Sequence, residues 1–370
     1  MKKLSFLLFF ACFALQIKAQ STSGGITTAT PFLLISSDAR AGGMGDVGVA
    51  TSSDAFSIFH NPAKAAFNKN KISIGLNYTP WLRNLTDDIF VGNASYINRF
   101  KENSAWGVDI KYFSLGQIPT NVLPIGGSLP VSTGTINPSE FAITGIYSLK
   151  LSEKFSMGIG LKYINSNLAS GQNNNSIDAV NSFAVDVSGY YQSEEDNYGS
   201  INGRYRLGFN ITNIGPKVEY TPGVENFIPT NAKFGGGFDF IFDSNNILGL
   251  NLEFTKLLVP SSSTASTRGW FEGMFTSLGD RSFSEELKET TWALGAEYLY
   301  NNAFALRAGF FHESEEKGQR QFLTLGTGFT AKAFTLDLSY LVNTSAVNNP
   351  LENTLRFSLS FDLGEIYEDY

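Results

Sequence analysis

The stretch Gly43-Met44-Gly45-Asp46-Val47-Gly48 has GxGxxG spacing. Between a strand and a helix, that spacing lets a pyrophosphate approach backbone amides. The chemistry needs a βαβ unit, whereas the chain that follows alternates in polarity with a period of two. The glycines are therefore read as points of close backbone packing. His60 and His312 stand far apart without companion ligands, so zinc is not expected. The only cysteine is Cys12, and no Gly-x-Ser-x-Gly elbow is present. The acidic runs 193–196 and 313–316 lack the spacing of a calcium loop and read as solvated links. No cofactor, metal or enzymatic role is expected.

The elements that must carry these residues begin with a leader. Met1-Lys2-Lys3, the apolar run Leu4 to Leu15, and Ile17-Lys18-Ala19 form a secretory signal cleaved after Ala19. Cys12 falls inside it, so the mature chain has no disulfide. Beyond residue 20, no apolar run reaches the ~18 to 20 residues of a membrane helix. A membrane route then requires a barrel, which hides its apolar band in alternation. A mean hydropathy of -0.06 with 16% charged and 14% aromatic residues fits that pattern. A net charge of -7 and a pI near 5.0 argue against nucleic acid as a partner.

From Lys71 onward, about fourteen segments of alternating polarity are expected, each near the ~9 to 11 residues of a tilted membrane strand. Ile72, Ile74, Leu76 and Tyr78 alternate with Ser73, Gly75 and Asn77; Leu355, Phe357, Leu359 and Phe361 do the same at the far end. The charges discriminate between a barrel and a soluble sandwich, because a lipid-facing Lys or Arg costs ~2 to 4 kcal/mol at the bilayer midplane. Asp109, Lys111, Lys162, Asp186, Arg206, Glu253, Glu297, Arg307, Asp337 and Arg356 all sit on the parity opposite the apolar residues. That parity is expected to face a lumen.

Connections alternate as well. Short links at 100–103, 151–153, 243–245, 301–302 and 331–332 are separated by long ones at 114–139, 165–179, 214–230, 257–290 and 342–353. The link 192–202 is longer than a turn requires. Short turns belong to the periplasmic side and long loops to the outside. Tyr78, Trp81, Trp106, Tyr147, Tyr163, Trp292, Tyr298 and Tyr300 are expected in interfacial girdles. Gly235-Gly236-Gly237 would either kink its strand or contact a plug, and the contact is favoured. The expected fold is all-β: a fourteen-stranded antiparallel outer-membrane barrel with a small N-terminal plug. Its divisions are 1–19 signal, 20–70 plug and 71–370 barrel.

Pro31-Phe32-Leu33-Leu34-Ile35, Asp38-Ala39-Arg40-Ala41-Gly42-Gly43-Met44-Gly45-Asp46 and Asn61-Pro62-Ala63-Lys64 together resemble the PorV/PorQ family. These motifs cover about forty residues of the mature N-terminus and are specific in combination. Where a Trp commonly precedes Asn-Pro-Ala-Lys in that family, this chain has His60. The resemblance implies a fourteen-stranded barrel similar to the FadL fatty-acid transporters, localised in the outer membrane. It also implies a place in the type IX secretion system, binding the C-terminal domains of cargo from a SprA-like translocon and passing them to a PorU-like sortase attachment complex. Lipid and lipopolysaccharide would surround it.

The candidate plug residues are Asp38, Arg40, Gly42, Gly43, Gly45, Asp46, Asn61, Pro62 and Lys64. Among them, Asp38, Arg40, Asp46 and Lys64 are expected to pair with lumen charges such as Asp109, Arg206 and Arg307, or else to be solvated turn residues. In the longest loop, Trp270, Phe271, Met274 and Phe275 are candidate partner-binding residues, because aromatic anchors often supply interface hot spots. The alternative function is a FadL-like channel for hydrophobic small molecules.

Overall fold

Alternation over eleven to thirteen residues leaves each strand one polar and one apolar face, and only closure satisfies both in lipid. In the computed structural model, which describes residues 25–83, 86–122, 129–168, 179–261, 267–345 and 352–367, fourteen such strands close into one antiparallel barrel. They are β1 Asn70–Pro80, β2 Ile89–Lys101, β3 Ser104–Leu115, β4 Ser139–Lys150, β5 Phe155–Asn167, β6 Val180–Gln192 and β7 Asn202–Ile214. The second half comprises β8 Asn231–Ile241, β9 Asn246–Leu257, β10 Thr290–Tyr300, β11 Phe304–His312, β12 Gln321–Ala331, β13 Phe334–Asn343 and β14 Leu355–Ile366. Each pairs with its sequence neighbours, and β14 closes on β1 with Phe357 opposite Tyr78. The expected signal lies outside the described residues.

The barrel is polar inside and apolar outside. Leu161 and Phe183, on the outer face of β5 and β6, are 62% and 60% exposed, while Asp186 on the inner face is 2% exposed. Asp109, Lys111, Arg206, Glu253, Glu297, Arg307, Asp337 and Arg356 are likewise buried, as their parity required. A water-soluble sandwich would place these faces the other way round.

Short turns and long loops segregate to opposite ends. Asn301 and Asn302 take left-handed φ of 55° and 50° in the β10–β11 turn, the conformation a tight hairpin demands and one asparagine tolerates. Two long loops carry small hairpins of their own, Ile118–Val122 with Val131–Ile136 and Val218–Thr221 with Val224–Asn226. At the long-loop end, Tyr78, Phe90 and Tyr112 lie side by side at 5.4 and 5.9 Å, and Trp292 meets Phe310 at 5.5 Å. At the short-turn end, Tyr96 and Trp106 lie 5.3 Å apart, and Tyr191 and Tyr205 5.6 Å apart. These are two girdles. Trp81 is a correction: it packs inward on the cluster around Phe32 and Phe113, because it follows the last residue of β1 and turns under its loop.

The N-terminal segment fills the barrel with four short helical turns, Pro31–Leu34, Ala39–Gly42, Ser57–His60 and Pro62–Phe67. Asp38 caps the second, its carboxylate accepting from the Ala41 amide, and Asn61 caps the last by accepting from Ala63. Near the long-loop end, Phe32 and Leu33 join Val91, Phe113, Ile164 and Val180 in an apolar cluster. Further down, Ile58 and Ala65 pack with Ile97, Ala105 and Ile146.

Candidate functional site

The plug sits on glycines. On eight strands the inner face carries a glycine where the plug comes closest: Gly75, Gly107, Gly158, Gly208, Gly235, Gly295, Gly309 and Gly326. A Cβ on Gly309 would stand 2.1 Å from the Gly45 amide nitrogen, and one on Gly158 would stand 2.5 Å from that of Ala63. Gly235, from the triple glycine of β8, meets Val49 of the plug, so that motif serves contact. On the plug, Gly45 has φ +71° and lies against the Phe310 backbone. Both its conformation and its clearance exclude a side chain. Gly43 faces Gly326, and Gly42 lies against Arg356 and Ser339. Sequence reading missed the ring of inner glycines. Their shared inward parity was the available signal.

Polar groups then latch the plug. Arg40 donates from Nε and Nη2 to the two carboxylate oxygens of Glu297 at 2.9 and 2.7 Å, and from Nη1 to Asp54 at 2.7 Å. Glu297 also accepts from Arg307, which reaches Asp337 at 2.6 Å. Asp46 pairs with Arg356 of β14. Glu253 of β9 accepts from the Gly48 and Val49 amides at 2.7 and 2.9 Å. Asn61 donates to the carbonyls of Val49 and Gly189, and the Ala63 carbonyl accepts from Ser148 and Ser156. Bidentate Arg–carboxylate contacts of this kind fix orientation as well as adding energy.

The expected partners need correction. Only Arg40 reaches the network containing Arg307, through Glu297. Asp109 pairs instead with Asn93 and Arg206 with Asp239, both within the wall. Asp38 meets His60 Nε2 at 2.6 Å, a contact inside the plug. Lys64 donates to the Gly48 carbonyl at 3.0 Å and Thr51 Oγ1 at 2.9 Å. These side chains are buried and partnered, so the solvated-turn reading fails for them. Pro62 occupies the first turn of its helix and is buried against β5. His60, standing where the family has Trp, thus ties two turns of the plug together.

Burial works against the charge of Asp38, but His60, the Ala41 amide and Arg356 hold its carboxyl below the usual range. Burial likewise opposes the Arg40 charge, and Glu297 and Asp54 overcome it, raising its pKa. Lys64 has no such compensation: burial brings it down to about 8. The plug is therefore a charged lid held by matched countercharges, with one lysine kept in place by neutral acceptors.

Outside the barrel, the β9–β10 loop folds into helices Trp270–Thr276 and Phe283–Lys288. Gly273 packs against Phe227 and Pro260, and Met274 is buried, which anchors the first helix to its neighbours. Met274 is thus part of the support and not of the outward face. Trp270, Phe271 and Phe275 remain exposed, with ring centroids 5.5 and 5.2 Å apart in succession. Leu278, Phe283 and Leu287 extend the exposed apolar surface beyond the residues sequence reading selected. Asp280, Glu286 and Glu289 converge on the same loop, and Lys256 reaches the latter two at 2.6 and 2.9 Å. Lys317 adds a contact to Glu289 at 3.1 Å, so these carboxylates pin the loop to its surroundings.

A family model described as type IX secretion system protein PorV matches residues 18–264, more than half of the chain. The chain belongs to the PorV family. Its barrel is also similar to the Pseudomonas putida toluene transporter TodX, with 12% identity, 89% of this chain and 99% of that chain covered, and a TM-score of 0.51. A TodX monoaromatic hydrocarbon channel carrying the deltaS2 mutation aligns at 12% identity over 88% of this chain and 99% of that one, with a TM-score of 0.53. At such identities the likeness is one of fold. No curated protein sequence matches the chain. Family and barrel place this PorV-family protein in the outer membrane, in transport or secretion across it.

Proposed function

We propose that this PorV-family barrel is a non-enzymatic docking protein of type IX secretion. It binds C-terminal signal domains of cargo leaving a SprA-like translocon and passes them to a PorU-like sortase attachment complex at the cell surface. The observation that carries this reading, beside the family match, is the division between a lumen occupied by a latched plug and an outward loop with exposed Trp270, Phe271 and Phe275. Work done by such a molecule belongs on its surface. Exposed aromatic rings rimmed by charge are the composition of protein-binding surfaces.

A second reading has its own support. The apolar cluster of Phe32, Val91, Phe113 and Ile164 lies inside the barrel, and the fold is shared with hydrocarbon channels. Moving the plug would expose a lining suited to hydrophobic small molecules. A deletion strain separates the two. Loss of surface attachment of C-terminally tagged cargo, with unchanged uptake of a monoaromatic hydrocarbon, supports docking. The converse supports a channel.

A further inference from the structure

The direction in which the plug threads the barrel places the front of the chain. Asn68 and Lys69, at the end joined to β1, lie among the short turns: Arg99 Nη1 donates to the Asn68 carbonyl at 2.7 Å, and the Tyr367 amide donates to that of Lys69 at 2.8 Å. Residues 55–67 occupy the middle, with the Ala55 carbonyl accepting from Ser95. Higher up, the Ser37 carbonyl accepts from Thr79 near the end of β1, and that of Ile35 from Lys111. The Ala29 amide then donates at 2.8 Å to the carbonyl of Phe227 in the β7–β8 loop. Gly25 lies against the backbone of Lys317 in the β11–β12 loop, where a Cβ would stand 2.6 Å from the carbonyl oxygen. Both loops belong to the long-loop end, and Thr27 between these contacts is exposed.

We propose that the chain ahead of Gly25 leaves through the extracellular mouth, so that the amino-terminal arm of the mature protein is displayed on the cell surface. Residues 25–35 are then a strap across the upper lumen, anchored by Phe32 and Leu33 in the apolar cluster and by backbone hydrogen bonds at its outer end. The free end of the plug faces outward, and the end joined to the barrel faces the periplasm. This follows from the contacts together with the assignment of long loops to the outside, and does not depend on what the barrel carries. It makes the plug accessible to a surface partner without any opening of the periplasmic side.

The test uses the full-length protein in intact cells. With Cys12 in the expected leader, the mature chain is free of cysteine, so single substitutions report position cleanly. Ser21→Cys and Thr27→Cys are probed with a membrane-impermeant maleimide, with Ser132→Cys in the outer hairpin and Asn103→Cys in a short turn as references. Barrel assembly of each variant is checked by heat-modifiable mobility. Labelling of Ser21→Cys or Thr27→Cys in intact cells to the extent seen at Ser132→Cys is the expected result. If both stay unlabelled in intact cells, whether or not permeabilisation reveals them, the proposal is overturned.

Discussion

Arg40 and Glu297 are held in a two-pronged contact, with Nε and Nη2 on separate carboxylate oxygens at 2.9 and 2.7 Å, joining the plug to β10. Both side chains are nearly buried, at 12% and 9% exposed. Removing one member of such a pair leaves an uncompensated charge in a low-dielectric setting, which costs about 3 to 5 kcal/mol. Arg40→Ala is therefore expected to loosen the plug and raise single-channel conductance in planar bilayers. A closed barrel indistinguishable from wild type would remove Arg40 from the latch.

The glycine seat makes a steric prediction. Gly309→Val would force a side chain into the Gly45 and Met44 backbone, and overpacking of this kind costs about 1 to 3 kcal/mol. Gly145 faces open space, so Gly145→Ala serves as the control. Limited proteolysis should cut the plug of the first variant faster and leave that of the second unchanged. Equal rates would mean that the glycines do not set the docking distance.

Lys64 gives the docked plug a pH dependence. Its pKa is about 8 when buried, against an ordinary value of ~10.4 once released, so the docked state binds fewer protons across that interval. Docking stability from this group accordingly rises with pH between about 8 and 10.4, by up to ~1.4 kcal/mol per unit, and is flat below that window. Hydrogen exchange of plug amides at pH 7.5 and 9.5, corrected for intrinsic rates, should show greater protection at the higher pH. In Lys64→Met the difference should shrink; a difference of the same size in the variant would assign it to another group.

Outward parity carries its own energetic test. Leu161→Arg places a charge on the lipid face of β5, at a cost of ~2 to 4 kcal/mol if near the midplane. Leu151→Arg lies in a short turn, where the cost is ~0 to 1 kcal/mol. Urea unfolding in lipid vesicles should separate the two. A similar small loss in both would contradict the membrane depth assigned to β5.

Much of the barrel was legible because its physics is local: inward Asp186 beside outward Phe183 and Val185 is a statement about adjacent parity, and Asn301-Asn302 announces its own turn. Plug contacts were less legible. Asp46 meets Arg356 and Arg40 meets Glu297 only because closure of fourteen strands brings the first and last parts of the chain together. Parity put Arg356 and Glu297 in the lumen but could not say at what height or on which side of it. The Asp38–His60 contact was hidden for a different reason, since two helical turns of four residues carry no periodicity long enough to orient them. In the outer loop, composition drew attention to Trp270 and Phe271, while the burial of Met274 and the exposure of Phe283 depended on how two short helices lean on Phe227 and Pro260.

The outward aromatic face bears most directly on docking. Wild-type protein and the Trp270→Ser, Phe271→Ser, Phe275→Ser triple variant should be captured from detergent-solubilised outer membrane, with heat-modifiable mobility confirming that both barrels assemble. Co-purification of the translocon and C-terminally tagged cargo with wild type, and its loss with the variant, is the predicted result. Undiminished capture by the variant, or no secretion component bound to either protein, would contradict the account.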